Sequence, residues 1–192
     1  MIRGEKTILR AIEPDDVPLL WEWMQDEELM RLRDYPEPPT SLDQARRELE
    51  ESPGNSEDRL HLAITTLDGE LIGETTLRDI DQRNRGAIFT IAIGKREYWG
   101  HGFGSDATRC LMKYAFEQLN LHRIDLFVHA SNERAIRAYE KCGFRHDGLL
   151  REAHYMDGKY SDVLLMGLLL EDFRGAEAAR AAAQRDAVPA HV

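Results

Sequence analysis

Cysteine, long apolar runs and positive charge are all scarce in this sequence, and each shortage removes a class of protein. Two cysteines in 192 residues, Cys110 and Cys142, make no disulfide framework. Both fall in helical patterns where a small apolar residue serves, and packing accounts for them. The longest apolar run, Val163 to Leu170, is bracketed by Asp162 and Glu171 and is too short to span a bilayer, so no membrane partner is expected. Met1-Ile2-Arg3-Gly4-Glu5-Lys6 lacks the apolar core of a signal peptide, which makes the cytoplasm the expected compartment. Lys and Arg number 25 against 35 Asp and Glu, a formal charge of −10. Affinity for phosphate backbones comes largely from clustered Lys and Arg, so nucleic acid is not an expected partner. No H-E-x-x-H, paired C-x-x-C or calcium-loop pattern occurs, and no metal is expected.

The composition, 42% hydrophobic and 31% charged, fits one globular domain. Lys6 to Ala11 alternates as a first strand, and Pro14-Asp15-Asp16 opens a helical pattern through Trp23 and Met24. Asp34 to Pro39 is a proline-broken loop, after which Ser41 to Leu49 reads as a second helix. Beyond the break at Ser52-Pro53-Gly54 come strands at His61 to Leu67, Leu71 to Leu77 and Ala87 to Ile93, the first two joined by the turn Asp68-Gly69. A helix from Ser105, a strand at Arg123 to Ala130 and a helix from Asn132 to Gly143 follow. The last two strands, Arg145 to Met156 and Lys159 to Leu170, are joined by Asp157-Gly158. The order β-α-α-β-β-β-α-β-α-β-β is an α+β domain around one mixed sheet, with a domain expected over residues 1–173 and an Ala/Arg-rich tail, 174–192, outside it.

Charge is unevenly placed. Between residues 13 and 37 lie Glu13, Asp15, Asp16, Glu22, Asp26, Glu27, Glu28, Asp34 and Glu37 against only Arg31 and Arg33. Such a stretch serves as a solvated helix face or as the approach for a cationic partner.

The densest chemical pattern is Tyr98-Trp99-Gly100-His101-Gly102-Phe103-Gly104-Ser105, set between a strand and a helix. Alternate glycines permit unusual backbone angles and keep side chains away from the amides. The following helix adds free N–H groups and the positive end of its dipole, so an anion such as a pyrophosphate can be held without lysines. The spacing is G-x-G-x-G, not the G-x-G-x-x-G of dinucleotide folds, and no terminal Gly-Lys-Ser/Thr marks a nucleoside triphosphate loop.

From Ile91 through Phe144 the combination of strand, glycine loop, helix, second strand and Asn132-x-x-Ala135-x-x-x-Tyr139-x-x-x-Gly143-Phe144 resembles the acetyl-CoA-binding core of GNAT acetyltransferases. The likeness extends to Thr7-Ile8-Leu9-Arg10 and to Gly148 through Asp162, and is closest to the branch of RimJ/RimL-type and spermidine acetyltransferases. The resemblance implies a mostly antiparallel central sheet flanked by helices. It implies acetyl-CoA as donor, with Ile91, Ala92 and Ile93 offering main-chain groups to the pantetheine arm and acetyl carbonyl. Gly100, Gly102, Gly104 and Ser105 match the pyrophosphate loop. Asn132 matches a cofactor contact and is equally an N-cap. Tyr139 is a core tyrosine by periodicity; the resemblance makes it the acid that protonates the departing thiolate.

Two positions depart from the pattern. Trp99 stands where Gln or Arg is common. Ile88 stands where relatives often place a glutamate base; Glu74, His129 or water are the candidates left. The implied reaction is direct attack on acetyl-CoA by a primary amine, of a small cationic molecule or a protein amino terminus. Arg31 and Arg33 equally suit an anionic amino compound. A non-catalytic acyl-CoA sensor or assembly module on the same fold is the alternative. The terminal hairpin and Ala-rich tail offer surfaces for self-association, with a homodimer as the expected form.

Overall fold

The computed structural model describes residues 1–32, 40–51 and 55–186. Arg33, Asp34, Tyr35 and Glu37 with their prolines, the Ser52-Pro53-Gly54 break and Pro189 lie outside them. The elements run β1 (Ile2–Arg3), β2 (Thr7–Ala11), a 3-10 turn (Pro14–Asp16), α1 (Val17–Met24), α2 (Glu27–Met30), α3 (Leu42–Glu51), β3 (Leu60–Thr66), β4 (Leu71–Asp81) and β5 (Gly86–Ile93). After a second 3-10 turn (Arg96–Tyr98) come α4 (Phe103–Glu117), β6 (Arg123–His129), α5 (Glu133–Glu140), β7 (Arg145–Met156), β8 (Lys159–Leu169) and α6 (Leu170–Asp186). The eight strands form one sheet in the order β1-β2-β3-β4-β5-β6-β8-β7, antiparallel except where β5 meets β6.

Local chemistry explains the joints. Asp157 and Gly158 both have positive φ, 51° and 77°, as a tight hairpin turn of this hand requires. Asn132 caps α5 by accepting the Ala135 amide, and Asp26 caps the short α2 by accepting the amides of Glu28 and Leu29.

Side chains alternate across the sheet. Leu9, Leu62, Ile64, Leu77, Ala87 and Phe89 share the main core with Ala107, Leu111, Met112 and Ala115 of α4. Burying each large side chain of this set contributes about 1.5–3 kcal/mol. The other face carries Arg10, His61, Ala63, Glu74, Ile88 and Ala92, and α1 lies over its far end. A methyl group on Gly94 would fall 2.0 Å from Trp23 Cδ2, so the indole packs directly on the backbone there.

Three features differ from expectation. β1 and α2 are too short to leave a periodic signal. α4 starts at Phe103, two residues before Ser105, because Gly102 (φ 85°) is already its N-cap. The expected boundary after Phe173 falls inside α6, whose residues up to 186 continue one helix. Phe173 packs tilted against Phe116 with centroids 5.4 Å apart, Arg180 forks onto Glu5 at 2.9 Å, and a methyl group on Gly143 would lie 3.1 Å from Ala176 Cβ. Ala, Arg and Glu favour a helix here, and these contacts add the docking that a lone segment of this length lacks. Among the described residues no helix is long and apolar enough to cross a membrane.

Candidate active site

β5 and β6 form a fork. They pair only over Gly86↔Arg123, Ala87↔Ile124 and Ile88↔Asp125. Beyond that point β5 continues with β4 to Ile93 and β6 continues with β8 to His129, so their facing edges part. One hydrogen bond fixes the main-chain directions in the open arm: Gly94 N–H donates to Ile72 C=O at 2.9 Å. Groups alternate sides along an antiparallel ladder. Those of Ala92 therefore turn to β4, and those of Ile91 and Ile93 turn into the fork. Ala92, expected to offer main-chain groups there, presents only its methyl to the sheet face, because its own amide and carbonyl belong to the ladder.

The glycine loop closes the mouth of this fork. Gly100 (φ 77°) and Gly102 (φ 85°) occupy the left-handed region that other residues enter at a cost of about 1–2 kcal/mol. Gly104 is helical; a Cβ on it would lie 3.7 Å from Ile93 Cγ1, so the first turn of α4 borders the open arm. Asp106 N–H makes the first helical bond, to Gly102 C=O, and the amides of Phe103, Gly104 and Ser105 lack an intrahelical acceptor. With the helix dipole they suit an anion. Asp106 does not oppose this. Its buried carboxylate turns back to accept the amides of Lys6 (2.9 Å) and Thr7 (3.0 Å) and the Thr7 hydroxyl (2.8 Å). Burial pushes its pKa upward, and these donors outweigh burial and hold it below the usual carboxylate range.

Trp99 has a role that the sequence did not disclose. Its indole N–H donates to Ile93 C=O at 2.7 Å, and the Arg134 guanidinium lies 3.9 Å from its ring centroid. The residue standing where Gln or Arg is common thus ties the glycine loop to the fork and α5. Tyr139 is half-buried on α5, edge-on to Phe89 (centroids 6.2 Å, 83°) and tilted on Phe144 (5.8 Å). Phe89 is the first β5 residue beyond the last pair with β6, so Tyr139 stands at the crotch of the fork. Asn132 Oδ1 is engaged in capping α5.

The acidic segment is less negative in space than in sequence. Asp16 pairs with Arg10 at 2.6 Å, and Arg96 holds Asp26 and Glu28. The Arg96 guanidinium holds the Asp26 carboxyl below its ordinary value. Arg31 pairs with Asp157 at 3.2 Å in an exposed contact. Of the two side chains expected as bases, Glu74 accepts or shares a hydrogen bond with His61 Nε2 at 2.8 Å, while His129 is buried against His154 with ring centroids 4.2 Å apart. Burial, then the neighbouring His129, pushes His154 below the usual histidine value. Among the described residues no group of three or more His, Cys, Asp or Glu could hold a metal.

Comparison with known proteins agrees with this geometry. The chain is 31% identical over 175 residues to the uncharacterized N-acetyltransferase p20 of Bacillus licheniformis, covering 89% of this chain and 97% of that protein. It is 31% identical over 161 residues to the spermidine N(1)-acetyltransferase of Vibrio cholerae, covering 84% and 91%. The crystal structure of the V. cholerae enzyme with CoA and spermine superposes with a TM-score of 0.80 at 29% identity, over 88% of this chain and 98% of that one. A dodecameric structure of the same enzyme gives 0.75 at 29%, over 87% and 95%. The family described as the acetyltransferase (GNAT) domain matches residues 6–145, and the chain belongs to that GNAT acetyltransferase family.

Proposed function

We propose that this N-acetyltransferase moves the acetyl group of acetyl-CoA directly to a primary amine of a small polycationic acceptor, with no covalent enzyme intermediate. The observation that carries the reading is the fork itself, with the main-chain groups of Ile91 and Ile93 turned into it and the free amides of α4 at its mouth. Phe103, Gly104 and Ser105 amides would take the pyrophosphate of the donor, and Gly100 and Gly102 give the loop its shape. A main-chain N–H in the open arm would donate to the acetyl carbonyl as it becomes an oxyanion, where a preorganised donor is most effective. Attack by the amine forms the C–N bond, and collapse breaks the C–S bond. Tyr139 then gives its proton to the thiolate and recovers one from the acylated nitrogen. Asn132, at the start of α5, would border the pantetheine arm.

The acceptor reading rests on charge. Glu13, Asp15, Glu22 and Glu27 on the α1 and α2 side add to a chain of net charge −10, and Arg31 is already paired. The relatives' polyamine substrates point the same way. An acceptor panel with thiol release as readout tests this: spermidine-like amines should turn over best, with kcat/KM falling as salt rises. Preference for an anionic amino compound, or for peptide amino termini over every polyamine, contradicts it.

Self-association belongs to the same reading. β7 is an edge strand with Leu149, Leu150 and Tyr155 exposed, a surface that isolated proteins seldom leave bare. Light scattering should return a mass above that of one chain.

A further inference from the structure

The geometry points to Glu74 and His61 as a proton-accepting dyad that makes the amine nucleophilic and drains its proton into a cleft behind the sheet. This deepens the acetyltransfer reading and rests on it. Ile88 leaves the family's common glutamate position without a carboxylate, and an ammonium must lose a proton before it can attack a thioester. Glu74 stands one strand over. It is the Cα partner of Ala92, the residue between Ile91 and Ile93, and so flanks the open arm of the fork. It shares the sheet face with Ile88 and Ala92, the face that α1 covers with Trp23.

His61 completes the pair. Its Nε2 lies 2.8 Å from Glu74 Oε2, with side-chain exposures of 21% and 15%. Its main-chain N–H is held by Asn55 Oδ1 at 2.8 Å. Beyond the ring a cleft of about 350 Å³ opens between α1, α3 and β3, lined by Ala11, Pro14, Val17, Leu49, Glu50 and His61. The carboxylate thus sits on the strand next to the open arm, bonded to His61 on its other side, and the imidazole borders a cleft that can hold water.

The step balances. The ammonium gives one proton to the Glu74 carboxylate, His61 takes it, and water in the cleft carries it off. The neutral amine attacks, and the proton that Tyr139 lends to sulfur returns from the acylated nitrogen. The net yield is one amide, one thiol and one released proton. Charged groups facing the dyad are Arg10 with its partner Asp16 from β2 and the first turn, and Arg46 and Glu50 from α3.

Glu74→Gln is nearly isosteric and keeps an oxygen for His61. With a diamine acceptor at pH 7 its kcat/KM should fall about 10²–10⁴-fold. The deficit should shrink toward unity as pH rises, and should be small at every pH with a weakly basic amine that is already neutral. His61→Gln, which removes the second proton carrier, should move the acidic limb of the pH profile and leave acetyl-CoA affinity unchanged. A thermal shift with CoA verifies folding of both variants. A Glu74→Gln loss equal for all amines and all pH values, or no loss, overturns the dyad. Failure of the unaltered protein to acetylate any amine overturns the acetyltransfer reading instead.

Discussion

Replacing Tyr139 with Phe separates packing from chemistry. The ring makes an edge contact with Phe89 and a tilted contact with Phe144, each worth about 0.5–1.5 kcal/mol beyond area burial, and Phe retains both. Loss of the hydroxyl then costs about 0.5–1.5 kcal/mol of stability for each hydrogen bond it makes. The reaction loses much more. Without an acid the thiolate must leave unprotonated, and general-acid catalysis contributes about 10²–10⁴-fold, equivalent to roughly 3–5 kcal/mol of barrier. Steady-state kinetics with thiol detection should show kcat and kcat/KM falling together, with KM for acetyl-CoA unchanged. A thioester whose thiol is more acidic should recover much of the rate. A Tyr139→Phe enzyme with kcat within twofold of the parent, or with its loss confined to KM, refutes the assignment of the proton to Tyr139.

Asp106→Asn should lower stability by about 1–3 kcal/mol in urea titration at pH 7, since the amide keeps one oxygen for the Lys6 and Thr7 donors but loses the charge and sets an NH2 group against the Glu5 amide. Because the folded pKa of Asp106 lies below its ordinary 3.8, its contribution is complete above that value and is lost as pH falls below it toward the folded value. The unaltered protein should therefore lose stability in that window, and the Asn variant should lose less; equal slopes contradict the argument. Burial pushes both Cys110 and Cys142 up to about 11, leaving about one thiol in a thousand ionised at pH 8. Iodoacetamide should label neither in the native state and both in urea, and rapid native labelling disproves burial. Truncation after Phe173 removes the Arg180–Glu5 pair and the cover over Gly143, and should lower Tm by several degrees while a tail outside the fold leaves it unchanged.

Much of the fold was legible because its joints are chemical. Asp68-Gly69 and Asp157-Gly158 announce hairpins, and Asn132 and Gly143 bracket α5. The strand-loop-helix order around Gly100 to Ser105 placed the anion-binding turn. The fork was not legible from spacing, since parallel partners cannot be counted from a turn. Nor was the Glu74–His61 contact. Counting outward from the turn Asp68-Gly69 with Thr65 opposite Leu71 sets Glu74 beside Leu62, on the core face. A bulge between Ile64 and Thr65 shifts the ladder by one residue, pairs Glu74 with Ala63 and brings it to the face of His61. Trp99 showed in the sequence only as a departure from the pattern because its partner, the Ile93 carbonyl, is a main-chain group whose direction depends on the β4–β5 ladder. The acidic stretch misled in the opposite sense: Arg10 and Arg96, distant in sequence from parts of it, neutralise Asp16, Asp26 and Glu28.

Direct transfer in the fork is tested most plainly by following both products of one reaction while weighing the intact protein. With acetyl-CoA and spermidine, free thiol and N-acetylated amine should appear in equal amounts, and with acetyl-CoA alone the protein mass should stay unchanged. An acetylated protein that transfers its group when amine is added contradicts direct attack, and saturable CoA binding with no thiol release from any amine marks a non-catalytic module.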